Sequence, residues 1–227
     1  MAPRDFSSRL TRRAGRLGLS LPEDLVEKLA AFHGLLARWN QKINLTSLAD
    51  PDEAIDRLIL EPLLAARDVA SGARRFMDIG SGGGSPAIPL KLALPHLELT
   101  MVEVKVRKSA FLREASRHLN LANTVVETAR VEELLARPQL HEAFDLITMR
   151  AVRIEARMLN TIQAFLKAGG IVLLFRGPHG PAEPVVVPPL QWIETHPLLD
   201  TLQSRITVLQ KRQFGGHVPR GTIAAEP

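Results

Sequence analysis

Met77-Asp78-Ile79-Gly80-Ser81-Gly82-Gly83-Gly84-Ser85-Pro86 joins a short apolar run to a helical one through four glycines. Phe76 to Ile79 has the composition and length of a buried strand, and Pro86 to Leu94 reads as a helix, so the glycines occupy the turn between them. In a sheet of parallel strands, ligands bind beyond the carboxyl ends, and the first strand-to-helix turn must let backbone approach the ligand. Glycine permits this because it lacks a Cβ and tolerates positive φ. The spacing selects the ligand. A dinucleotide fingerprint would place its third glycine at position 85, where this chain has Ser85; glycines at 80, 82 and 84 give the G-x-G-x-G spacing of adenosylmethionine enzymes. A glycine-rich turn can also be no more than a tight bend, so the reading depends on its surroundings.

Outward from the loop, strand and helix alternate. Leu97 to Val102, Thr124 to Thr128, Phe144 to Thr148 and Ile171 to Phe175 read as further strands, with helices over Arg107 to Asn120 and Arg153 to Lys167. Such alternation implies right-handed crossovers and a largely parallel sheet covered on both faces. After residue 175 the rhythm changes. Gln191 to His196 and Ser204 to Leu209 are β-like with no long helix after the first, which predicts a closing antiparallel hairpin pair. The expected fold class is α/β: a class I S-adenosylmethionine-dependent methyltransferase, Rossmann-like, with a mostly parallel seven-stranded sheet and a small N-terminal helical cap. In the cap, Ser20 and Glu23 form a capping-box pattern with Pro22 in the first turn, and Leu25, Leu29, Phe32, Leu36 and Trp39 mark a helix ending near Asn40. A polar link, Gln41 to Asp50, leads to a second helical stretch carrying Ile55, Leu58, Ile59, Leu63 and Leu64. The expected units are a basic arm and helical cap over 1–70, the methyltransferase domain over 71–212 and a tail over 213–227. Gly177 to Pro189, rich in Pro and Gly, reads as a long loop.

The chain has 227 residues and a mass of 25.0 kDa, enough for one generous domain with an appendage. With 45% hydrophobic and 23% charged residues it is not a disordered sequence, and no apolar run approaches the roughly 20 residues that span a bilayer. Cysteine is absent, which excludes disulfides, thiolate metal sites and every mechanism with a cysteine nucleophile. The net charge of +5 is uneven. Arg4, Arg9, Arg12, Arg13 and Arg16 against Asp5 give +4 in residues 1–20; Lys211, Arg212 and Arg220 against Glu226 give +2 in 211–227; the remainder is −1. Two basic ends on a nearly neutral body suggest a local footprint for a polyanion, the competing reading being solvated termini. Phe6, Leu10, Ala14 and Leu17 at helical spacing among those arginines also fit a transit peptide, but the pattern runs into the next helix without a cleavage-like break.

Glu103 lies nineteen residues after Gly84, at the end of the second strand. A carboxylate there can accept from both hydroxyls of a ribose, or instead pair with Lys105 or Arg107. Arg130-Val131-Glu132 follows the third strand, where an adenine would lie, although Glu132 also suits the first turn of a helix. Asp145 reads as structural. Methyl transfer from a sulfonium needs an aligned nucleophile. Carbon-5 methylation of a pyrimidine usually needs a cysteine, and amine methylation an Asn/Asp-Pro-Pro-aromatic motif; Thr148-Met149-Arg150-Ala151 stands where that motif would be. Guanine N7 already carries a free lone pair, and its edge can be recognised by an arginine through O6. Arg150, following a central strand, is placed to face the ligand; pairing with Glu155 is the alternative.

Trp39-Asn40-x-x-Ile43-Asn44-Leu45-Thr46, the loop from Asp78 through Leu90, Arg107-Lys108-x-x-Phe111-Leu112, Ala129-Arg130-Val131-Glu132 and Phe144-Asp145 through Arg150-Ala151 together resemble the RsmG (GidB) family over about residues 20–212. That family methylates N7 of guanine 527 in 16S ribosomal RNA. The resemblance implies a cytoplasmic enzyme that takes S-adenosylmethionine, with cofactor contacts at Gly80, Ser85, Val131, Glu132 and Arg150, and with 16S ribosomal RNA or the small subunit as partner. Ser85, Ala87 and Met149 stand where the family usually has Phe or Leu, Gly, and Ser. Asn40 and Asn44 are drawn toward the cleft by the same likeness.

The expected cofactor contacts are therefore Gly80, Gly82, Gly84, Ser85, Glu103, Val131, Glu132 and Arg150, with Arg150 also positioning the acceptor. RNA contacts are expected from Arg9, Arg12, Arg13 and Arg16, from Lys105, Arg107 and Lys108, and from Lys211 and Arg212. With ten aromatics and no Tyr, charge rather than ring stacking should grip the RNA. His33, His118 and His217 are scattered without ligand spacing, so no metal is expected, and the protein is expected to be a monomer without membrane attachment. A noncatalytic RNA-binding or ribosome-assembly protein on the same fold is the alternative, and the glycine spacing disfavours an NAD-type oxidoreductase.

Overall fold

The computed structural model describes residues 3–47, 50–152, 154–178 and 184–212. The expected tail over 213–227, with His217, Arg220 and Glu226, lies outside the described residues, as do Arg153 and the middle of the Gly177 to Pro189 loop.

The central strand β1 (Arg75–Ile79) pairs in parallel with β2 (Glu98–Val102) on one side and with β4 (Phe144–Arg150) on the other. β3 (Thr124–Glu127) extends the sheet beyond β2, and β5 (Leu166–Arg176) lies beyond β4. β6 (Leu190–Leu199) and β7 (Ser204–Lys211) close it as an antiparallel pair, with β7 inserted between β5 and β6. The order is β3-β2-β1-β4-β5-β7-β6, the expected seven strands with the last two reversed.

Alternation along the strands builds two cores. Phe76, Leu99, Met101, Leu146 and Leu173 face one side, while Met77, Val102, Ile147, Met149 and Val172 face the other. On the first face lie α1 (Pro3–Arg16), α2 (Glu23–Asn40), α4 (Glu61–Ala65), α5 (Ala87–Ala93) and α6 (Val106–His118); α3 (Pro51–Ile55) precedes α4. α7 (Ala156–Ile162) covers the second face. The N-terminal helices thus share one core with the sheet.

Several local expectations need correction. The basic arm is a helix: Phe6, Leu10 and Ala14 of α1 are buried in the first core. The capping box is not formed, because α2 starts at Glu23 with Pro22 at its N-cap, leaving Ser20 too early to cap it. Asp50 is a true cap, its Oδ1 accepting from the amides of Asp52 and Glu53 at 2.8 Å. The second helical stretch contains a wide turn with i to i+5 bonding over Asp56–Leu60. The helix expected to reach Lys167 ends at Ile162, because residues from Leu166 onward are taken up by pairing in β5, which they join through a register irregularity, with Gly169 at φ +80°.

Candidate active site

β1 ends at Ile79 and the chain turns at once. Gly80, Gly82 and Gly84 take positive φ of 73°, 49° and 83°, the region only glycine adopts without cost. Two of them also lack room for a side chain: a Cβ would stand 2.9 Å from Val152 Cγ2 at Gly80 and 2.6 Å from Ile88 Cδ1 at Gly84. The loop therefore packs against the exit of β4 and the start of α5 together. Gly80 and Ser81 donate to the carbonyl of Val102, and Gly82 N–H donates to Glu103 Oε2 at 2.9 Å. Lys105 N–H donates to Glu103 Oε1 at 2.8 Å. Glu103 thus binds the backbone of Lys105 and shapes the glycine loop, while each carboxylate oxygen keeps acceptor capacity for a ligand hydroxyl.

A cavity of about 540 Å³ opens over this loop. Of the residues expected to contact the cofactor, Gly80, Gly82, Ser85, Glu103 and Arg150 line it, and Gly84 lies beneath, packed on Ile88. Val131 is buried and Glu132 exposed in the short turn after β3, and neither lines this cavity. Lys105 and Lys108, expected on RNA, do line it. The cap supplies Leu36, Leu45, Thr46 and Ser47; Leu36 was read only as a core position of the cap helix, Leu45 and Thr46 only as part of the family motif, and Ser47 not at all. Asn40 holds that wall in place, its Oδ1 accepting from the amides of Leu45 and Thr46 at 2.8 and 2.9 Å. Ser85 has a bridging role: its Oγ donates to Leu58 O at 2.8 Å, tying the loop to the wide turn of the cap. Ala87 and Met149 are buried and line no part of the cavity.

Arg150 leaves the end of β4 and is largely buried, its side chain 13% exposed. Its guanidinium donates to Arg57 O, lies 4.4 Å above the ring of Phe175, and approaches Glu61 Oε2 at 2.9 Å. Burial lowers its pKa to about 10 against the opposing pull of Glu61, so it stays charged at neutral pH. Asp78, in register with Thr148 across β1 and β4, accepts from Thr148 Oγ1 at 2.5 Å; its other oxygen is buried without a hydrogen-bond partner. Desolvation raises its pKa to about 6, although hydrogen bonds and Arg150 pull the other way. Asp145 is structural as expected, accepting from the amides of Arg74 and Arg75 and from Lys167.

The basic residues divide. Arg13 donates to both oxygens of buried Asp56 and to Asp52, and Arg9 pairs with Asp5 and Asp52, so these two dock α1 onto the cap. Arg12 and Arg16 are exposed. Lys211 must be withdrawn as an RNA contact: it is 6% exposed, and its ammonium donates to Glu142, Gln163 O and Leu166 O. Arg212 bonds Gln191 at the amino ends of the parallel strands, opposite the cavity. Asp68, Glu194 and His196 converge, with His196 Nε2 3.0 Å from Asp68 Oδ1; chain spacing gave no sign of this group. Among the described residues no helix is long and apolar enough to cross a membrane.

The glycine cradle and the acid at the end of β2 fit a ligand with a backbone-hugging chain and a diol-bearing ribose, which S-adenosylmethionine has. Together with the strand order they define a class I methyltransferase that uses S-adenosylmethionine. The chain belongs to the GidB family, rRNA small subunit methyltransferase G, whose match spans residues 25–187. The ribosomal RNA small subunit methyltransferase G of Xanthomonas axonopodis pv. citri is 38% identical over 200 residues, covering 87% of this chain and 90% of that protein. Among solved structures, a SAM dependent methyltransferase from Aquifex aeolicus superposes with a TM-score of 0.55 at 13% identity, over 73% of this chain and 95% of that one. The [4+2]-cyclase SpnF also superposes, with a TM-score of 0.57 at 17% identity over 81% of this chain and 94% of that one. The architecture therefore does not select the reaction by itself.

Proposed function

We propose that the protein transfers a methyl group from S-adenosylmethionine to N7 of a guanine, the position equivalent to 527, in 16S ribosomal RNA. Family membership carries the substrate, and the Glu103-braced glycine loop carries the cofactor. When bound, the cofactor supplies an electrophilic methyl on a sulfonium. The chain's task is to bind and orient. Glu103 accepts the ribose hydroxyls, Gly80 and Gly82 let backbone approach, and Arg150 keeps a positive charge at the end of β4, where it meets guanine O6 and leaves N7 unprotonated and free. Guanine N7 has its lone pair at neutral pH, so no general base is required. Val131 and Glu132 remain proposed neighbours of the adenine.

RNA phosphates are held by Arg12, Arg16 and Arg107, with Lys105 and Lys108 shared between RNA and cofactor mouth. The protein works as a cytoplasmic monomer without a resident metal. Small-subunit RNA from cells with and without the gene, mapped by mass and by strand scission after reduction and aniline treatment, should show one gene-dependent break. Methyl label on an exocyclic amine or on carbon overturns the reading; tight cofactor binding with no label on ribosomal RNA would favour an assembly protein.

A further inference from the structure

We propose that a second cavity, beside the cofactor pocket, receives one unstacked guanine base, and that Glu61 reads this base through its N1–H and exocyclic amino group. The inference rests on the guanine methyltransferase reading above and adds to it a base pocket and a residue that sets specificity.

The cavity measures about 390 Å³, toward the low end of the roughly 300–1,000 Å³ usual for small-molecule sites. Arg57, Arg150, Ala151 and Val152 line both it and the cofactor cavity, so the two share a wall. Glu61 lines only this one. Its residue is 3% exposed; Oε2 faces Arg150, and Oε1 is buried with no hydrogen-bond partner. Nε of Arg57, Nε of Arg150 and Nε of Arg176 are also buried without partners, and all three arginines line the cavity. An acceptor and several donors thus wait in one enclosure, an arrangement that native folds retain where a ligand completes it.

Guanine is the base that complements this set. Its Watson–Crick edge offers two adjacent donors, N1–H and the amino group, which a carboxylate oxygen can accept, next to the O6 acceptor that suits an arginine. Adenine would turn the lone pair of N1 toward the carboxylate, and the pyrimidines place a single donor beside acceptors. The Arg150 guanidinium, lying over the ring of Phe175, with the apolar Val152, Ile154 and Val185 around it, offers a planar and apolar wall to the faces of a base removed from its stack. N7 lies on a different edge from N1 and the amino group, so a base held by Glu61 keeps N7 exposed to the shared wall.

The test uses the full chain and small subunits reconstituted with 16S ribosomal RNA carrying guanine or inosine at the methylated position. Inosine keeps N7 and N1–H but lacks the amino group. The wild-type protein should lose about tenfold in kcat/KM on inosine, the cost of one hydrogen bond to a charged group. Glu61→Gln should lose about tenfold to a hundredfold on guanine while treating the two RNAs alike within about threefold. If Glu61 merely holds Arg150, Glu61→Gln will slow both RNAs equally and keep the wild-type preference, which overturns the proposal. Calorimetry with S-adenosylhomocysteine should give the same affinity for both proteins, showing an intact cofactor site. Val185→Trp, which fills the cavity from the loop side and leaves the buried charges alone, should raise KM for RNA about tenfold; unchanged kinetics there overturns the pocket even if Glu61→Gln fails to fold. Wild-type protein that methylates no guanine in either RNA would instead sink the function proposed above.

Discussion

Glu103 accepts from the Gly82 and Lys105 amides with one carboxylate and retains lone pairs toward the cavity, where the proposed cofactor ribose would meet them. Glu103→Ala should weaken S-adenosylmethionine binding by about 1–3 kcal/mol by calorimetry, since a charge-assisted hydrogen bond is removed and a loop amide is freed. Asp78 makes a different prediction. Its carboxyl is buried, with a pKa raised from 3.8 to about 6, so the folded state binds its proton more tightly than the unfolded chain. Its contribution favours folding in acid and is lost as pH rises from about 4 through about 6. The stability of Asp78→Asn relative to wild type should therefore improve by about 2 kcal/mol between pH 4 and pH 7 in denaturant titrations. A flat difference across that range would show that Asp78 ionises as freely as in the unfolded chain. The sequence showed Glu103 because its distance from the loop is a chain property. It did not show what Asp78 faces, since Thr148 lies seventy residues away and meets it only through strand register.

Among elements, α1 departs most from its sequence reading. Its arginines read as a polyanion footprint, yet Arg13 is consumed by Asp56, which is 3% exposed, and by Asp52. Arg13→Ala leaves a buried carboxylate without its main partner and should cost about 3–5 kcal/mol, whereas Arg12→Ala on the exposed face should change stability by less than about 0.5 kcal/mol. Equal effects in thermal melts would show that the pair contributes no more than a surface ion pair does. The apolar spacing of Phe6, Leu10 and Ala14 did announce a helix, because periodicity is local. Its docking was not legible, because the partner acids lie 39 to 43 residues away. The same distinction explains the strands. β1 through β4 were legible from their short apolar runs, while the early start of β5 was hidden because Leu166 and Lys167 continue a helical pattern until the glycines interrupt it.

At the scale of the molecule, the surviving basic residues sit on α1 and at the start of α6, while Lys211 is buried and Arg212 lies at the far end of the sheet. Replacing Arg12, Arg16 and Arg107 with Gln should weaken RNA binding and reduce its salt slope by about 0.7–0.9 for each phosphate no longer neutralised, with S-adenosylmethionine affinity unchanged. A wild-type slope in the triple variant would make all three arginines mere solvated surface. The mostly parallel sheet with its antiparallel close and the glycine loop could be anticipated because both are written in alternation and spacing. The shared wall between the two cavities could not, as Arg57 and Glu61 reach it from the cap across some ninety residues of chain.

The reversed direction of β7 has a practical consequence for spectroscopy. Because β7 runs against β5, the chain reaches Arg212 beside the amino ends of the parallel strands, across the sheet from the cavity over the glycine loop. The chain has no cysteine of its own, so Arg212→Cys offers one thiol for one fluorophore. A dye there would report tumbling of the complex by anisotropy without standing in the path of either ligand.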